Sequence, residues 1–126
     1  MPFRTRAASS TFAAILLMAT VTSQAAGADR GFTNYDGDTF RATFRIENID
    51  TPEIEGKCDA ERKLAIRARE FTRTWLTGGG VSIRQIGVDQ YGRILARVSR
   101  AGDDLGEALI RKGLARPWTG RRENWC

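Results

Sequence analysis

The chain has 126 residues, of which 20 are Lys or Arg and 15 are Asp or Glu, for a formal charge of +5. It contains no histidine, which excludes a Ser-His-Asp triad, a Cys-His pair, His-ligated zinc and an imidazole base. The length supports one domain, the positive excess suits a polyanionic partner, and any hydrolase of this composition must move protons with carboxylates, most easily beside a metal ion.

Residues 1–28 read as a cleaved secretory signal peptide. Arg4 and Arg6 precede the apolar run Thr11 to Val21, and Ser23-Gln24-Ala25 or Ala26-Gly27-Ala28 supplies a small-x-small cleavage site. A run of 11 residues falls short of the roughly 20 that a membrane-spanning helix needs. Residues 29–126 then form one domain of net charge +3, since two arginines and no acid leave with the leader. Asp29 to Tyr35 is weakly patterned. Thr39 to Ile49 has the alternating aromatic and β-branched character of strands, with Phe40, Phe44, Ile46 and Ile49 as buried candidates. A tight turn is expected near Arg41-Ala42, although neither Gly nor Asn is present there. Asp50-Thr51-Pro52 ends the strand, because a residue before proline is biased to extended geometry and proline fixes the exit.

Glu53 to Lys57 reads as a loop. Asp59 to Leu76 is predicted as a helix, capped by Asp59, with Glu61 in its positive first turn and Leu64, Ala68, Phe71 and Trp75 on its buried face. Gly78-Gly79-Gly80 stops it, and Arg62, Lys63, Arg67, Arg69 and Arg73 read as a solvated face. Strands follow at Val81 to Ile86 and Ile94 to Ser99. A turn at Ala101-Gly102-Asp103 leads to a helix from Asp104 to Lys112 that buries Leu105, Ala108 and Leu109. The order is α+β, and short strands with inserted helices suggest a small, bent five-stranded β-barrel. In an exported domain, Cys58 and Cys126 are expected to be disulfide-bonded, joining the start of the first helix to the final segment.

Three short motifs carry the chemistry: Asp36-Gly37-Asp38-Thr39; Asp50-Thr51-Pro52-Glu53 with Arg45 ahead of it; and Asp89-Gln90-Tyr91-Gly92-Arg93. Singly they read as a turn, a strand end and a long hairpin. Together they supply carboxylates that suit a hard divalent cation and arginines that suit a phosphate. That combination points to a metal-dependent phosphodiesterase acting on nucleic acid.

With Leu105-Gly106-Glu107-Ala108-Leu109-Ile110 and Gly113-Leu114-Ala115, the ordered set resembles the staphylococcal nuclease-like (thermonuclease) family. The resemblance covers nearly all of residues 29–126 and implies an OB-fold barrel of five strands with helices. It implies that Asp38 and Asp50 bind calcium, with the main-chain carbonyl of Thr51 as a further ligand. Glu53 matches the residue that activates the attacking water, and Arg45 and Arg93 match the pair that holds the scissile phosphate. Asp36 would support the metal ligands from behind, and Tyr91 would line the nucleotide site. Members cut DNA and RNA at the 5′ side of the phosphodiester, leaving 3′-phosphates. The expectation is therefore an exported, monomeric, calcium-dependent endonuclease of little sequence preference, with no membrane partner once the leader is removed.

The chain also departs from the family pattern. Six residues separate Asp38 from Arg45, fewer than is usual, Gln90 replaces a lysine, and Thr119 stands near the position of a tyrosine. Trp118 or Trp125 could stack on a base instead, with burial against the barrel the expected role of either. Two other classes fit the composition: a non-catalytic OB-type module that binds nucleic acid by charge and stacking, and a basic exported domain that binds another polyanion or a protein.

Overall fold

The computed structural model describes residues 32–126, so the expected leader and residues 29–31 lie outside the described residues. Strands β1 (Phe32–Asn34) and β2 (Phe40–Ala42) form an antiparallel hairpin, closed where the amides of Tyr35 and Asp36 donate to the Thr39 carbonyl. The chain continues through β3 (Phe44–Ile46), β4 (Ile49–Asp50), α1 (Asp59–Thr77), β5 (Val81–Val88), β6 (Ile94–Arg100), β7 (Asp103–Asp104), α2 (Leu105–Arg111) and β8 (Arg116–Pro117). β6 lies at the centre of the main sheet, antiparallel to β5 and β7 and parallel to β3. β4 pairs separately with β8, placing Asp50 opposite Arg116. This is the expected α+β, OB-like fold. Among the described residues its strands form three hydrogen-bonded sets rather than one closed barrel.

The expected turn at Arg41-Ala42 is absent. The chain runs on through Thr43 and changes partner, from β1 before that residue to β6 after it. No glycine or asparagine is needed there because nothing reverses. The reversal comes at Glu47-Asn48, where Asn48 has a φ of 60°, a region that asparagine enters more readily than most residues. Phe40 and Phe44 are consequently exposed rather than buried, Ile46 is half-buried, and Ile49 enters the core. The core unites Ile49, Trp75, Val98, Leu105, Leu109 and Leu114, so both helices pack against the β6 side of the sheet.

The α1 helix begins where the sequence predicts, but its cap is Cys58, whose sulfur accepts from the Glu61 amide at 3.5 Å. Asp59 is the first helical residue and pairs with Arg62. The basic residues of α1 are mostly solvated, as expected. Asp104 caps α2 by accepting from the Glu107 amide at 3.0 Å. No helix among the described residues is long and apolar enough to cross a membrane.

Glu61 is buried on the first turn of α1 and organises the loop ahead of it. Its carboxylate accepts from the amides of Glu53 (3.2 Å) and Lys57 (2.9 Å) and from Arg122 (3.1 Å). The bond from Glu53, then that from Lys57, outweigh burial and with Arg122 hold the Glu61 pKa below its ordinary 4.5. A Cβ at Gly56 would lie 2.5 Å from Glu61 Cδ, so only glycine lets the loop close over this carboxylate. Cys58 and Cys126 are disulfide-bonded, with Cα atoms 5.9 Å apart across 68 positions of sequence. A cross-link over that span contributes on the order of 4 kcal/mol by the loop-entropy argument.

Urea unfolding with and without reductant is expected to differ by roughly that amount, and coincident midpoints would refute the contribution. A group whose folded pKa is depressed gives stability that is present above its unfolded value and lost as pH falls through the folded one. Thermal unfolding from neutral pH downward should therefore show a loss beginning below about pH 4.5. Glu61→Gln should be less stable at neutral pH and show a shallower acid decline.

Candidate functional site

Arg45, Tyr91 and Arg93 line one cleft of about 430 Å³, together with Ile49, Asp89 and Trp118. Asp89 shapes one wall. Its Oδ1 accepts from the amides of Tyr91 and Arg93, each at 2.9 Å, and its Oδ2 accepts from Arg93 Nε at 2.6 Å. Burial pushes the Asp89 carboxyl up, but these bonds and the Arg93 charge prevail and lower its pKa. Arg93 is thus anchored through Nε, leaving its two terminal nitrogens for a ligand, while its guanidinium carbon lies 5.4 Å from the Tyr91 ring centre. Arg45 Nη2 donates to the Ile49 carbonyl at 3.1 Å, one residue before Asp50. Trp118 is exposed here rather than buried against a barrel.

Asp50, Thr51 and Glu53 face the final segment of the chain. Asp50 is buried, and its Oδ2 accepts from Trp125 Nε1 at 2.9 Å. The Arg122 guanidinium pairs with Glu53, lies 3.6 Å from Asp50 Oδ1, and donates to the Thr51 carbonyl at 3.4 Å and to Glu61 at 3.1 Å. Burial opposes charge on Arg122, but the Glu61 hydrogen bond and the charges of Glu53 and Asp50 dominate and raise its pKa. Arg116 stacks over the Trp125 ring at 3.8 Å and donates to the Asn124 carbonyl at 2.9 Å, which fixes the segment from outside.

Asp36 and Asp38 lie on the exposed β1–β2 turn, and their hydrogen bonds stay within it. Asp36 accepts from the Asp38 amide at 3.3 Å, and Asp38 accepts from the Thr39 hydroxyl at 3.0 Å. Among the described residues no three His, Cys, Asp or Glu side chains converge as metal ligands. Asp38 thus sits on the β1–β2 hairpin and Asp50 on the β4–β8 pair, two hydrogen-bonded sets separate from the main sheet. The donors of the other half do suit a cation. The oxygens of Asp50, Thr51 and Glu53 already surround one, the guanidinium of Arg122.

Sequence reasoning missed Arg122, Glu61 and Trp125 as parts of this region. The signal was Cys126: bonding it to Cys58 places the preceding residues over the loop from Asp50 to Lys57. A probable endonuclease of Schizosaccharomyces pombe is 32% identical over 89 residues, covering 65% of this chain and 39% of that protein. The chain thus matches about two fifths of that relative's length. A family model of staphylococcal nuclease homologues matches residues 43–124, a span that includes Arg45, Asp50, Glu53, Arg93 and Arg122 and leaves Asp38 outside. On that match over most of its length, the chain belongs to the staphylococcal nuclease homologue family.

Proposed function

We propose that this chain is an endonuclease that hydrolyses phosphodiester bonds of DNA and RNA with little sequence preference, using calcium and leaving 3′-phosphates. The observation that carries the reading is the junction at Ile49-Asp50. Arg45 rests on the Ile49 carbonyl and shares a cleft with Arg93 and Tyr91, while the next residue, Asp50, opens the carboxylate loop. Two guanidiniums can grip a phosphate through paired donors and stabilise charge that grows on it as the ester breaks. Glu53 would take the proton of an attacking water, the role its match to the family base gives it. Calcium would be held by Asp50 and the Thr51 carbonyl, with Asp38 as the remaining expected ligand, and when bound it neutralises charge on the phosphoryl oxygens.

The disulfide supports export, because such bonds persist in oxidising compartments. The reading is of a monomer that works outside the cytoplasm after losing residues 1–28. A second reading has a specific observation in its favour. Arg122 engages Asp50 and Glu53, which suits a module that binds nucleic acid without cutting it.

Purified protein should cut single-stranded DNA, duplex DNA and RNA with calcium, and EDTA should stop it; binding without cutting would favour the second reading. Arg45→Lys or Arg93→Lys should lower turnover about a hundredfold or more, because lysine cannot reproduce the paired donors. Glu53→Gln should lower turnover by a similar factor yet retain affinity for an oligonucleotide, and unchanged turnover would remove Glu53 as the base.

A further inference from the structure

The residue most intimately involved with the proposed cation ligands is not one the motifs supply. We propose that Arg122 is a built-in competitor for the divalent cation, so that docking of its guanidinium and binding of the metal at Asp50 and Thr51 exclude one another. The inference rests on the reading of those two residues as cation ligands.

Three observations lead to it. First, a single guanidinium faces the Asp50 carboxylate, the Thr51 carbonyl and the Glu53 carboxylate, with Glu61 as a fourth oxygen partner. A hard cation seated on Asp50 and Thr51 would need the same lone pairs, and two positive charges would repel at that spacing. Second, this contact is built rather than incidental. The segment is paired to β4 through β8, covalently joined at Cys126, and braced by Trp125 on Asp50 and by Arg116 on Trp125. Third, the two anchors lie on either side of Arg122, at Pro117 and Cys126. The intervening residues Thr119 to Arg122 are exposed, so the side chain can leave the carboxylates without breaking either anchor. Glu61 also accepts from the Glu53 and Lys57 amides, two bonds that hold the loop and do not involve Arg122.

Calcium binding by the intact, disulfide-bonded protein tests the idea, measured by calorimetry for the wild type and Arg122→Gln. Removing a competitor of this kind should tighten calcium binding about tenfold or more. Circular dichroism melting establishes that the variant is folded. A measurement on the wild type decides the matter even if it is not: the Arg122 Nε–H resonance should shift as calcium is titrated. Equal or weaker calcium affinity in folded Arg122→Gln, or an Arg122 resonance unmoved at saturating calcium, overturns the proposal while leaving the nuclease reading intact. Failure of both proteins to bind calcium overturns it together with the assignment of Asp50 and Thr51, and the cleavage assay then shows whether any nuclease activity survives.

Discussion

A buried carboxylate holds this molecule's functional half in place. Glu61 sits on the first turn of α1, where the helix end favours negative charge. From there it reaches back to two amides of the loop that carries Glu53 and forward to a guanidinium of the final segment. One side chain therefore links the start of the long helix, the loop after β4 and the residues before Cys126. An unpaired charge in such a place would be costly to bury. Glu61 avoids that cost through its hydrogen bonds, and the Cys58–Cys126 bond keeps the same three pieces adjacent, with Cys126 Sγ 3.8 Å from Glu61 Oε2.

Around this centre the charged groups sort into two neighbourhoods. On one side, Arg45 and Arg93 border an open cleft with Tyr91 and Trp118, and Asp89 restrains Arg93 without engaging its whole guanidinium. On the other, acids outnumber bases, and Arg122 is shared among Asp50, Glu53 and Glu61. The two meet at consecutive residues, Ile49 and Asp50.

Much of this was legible in the sequence because the signals were local. The α1 helix follows from its apolar spacing and terminal glycines, and the tight turn at Ala101-Gly102 from its glycine. Arg45, Tyr91 and Arg93 came from short motifs, and the structure does place them on one cleft. What failed was set by distant pairing. The exchange of partners at Thr43 depends on β6, some fifty residues on, so residue alternation in Phe40 to Ile49 could not reveal which aromatics face solvent. The separate pairing of the β1–β2 hairpin was hidden for the same reason. Arg122 belongs to no motif, and the β4–β8 pairing and the disulfide together bring it to Asp50. The cap at Cys58 was hidden because sulfur is a weak acceptor and Asp59 is the better capping residue on composition alone.

The cross-link also has a topological meaning. It closes a covalent ring that contains both helices and every strand from β5 to β8. The exposed glycines after α1, two of them with φ of 80° and 63°, lie within that ring. A protease that nicks the backbone there opens the ring but leaves one covalent molecule, its halves still tethered by the disulfide and their docking still nearly unimolecular. A single cut within the ring is thus a survivable injury for this chain, and two cuts there, or one cut and a reductant, are needed to release a fragment from it.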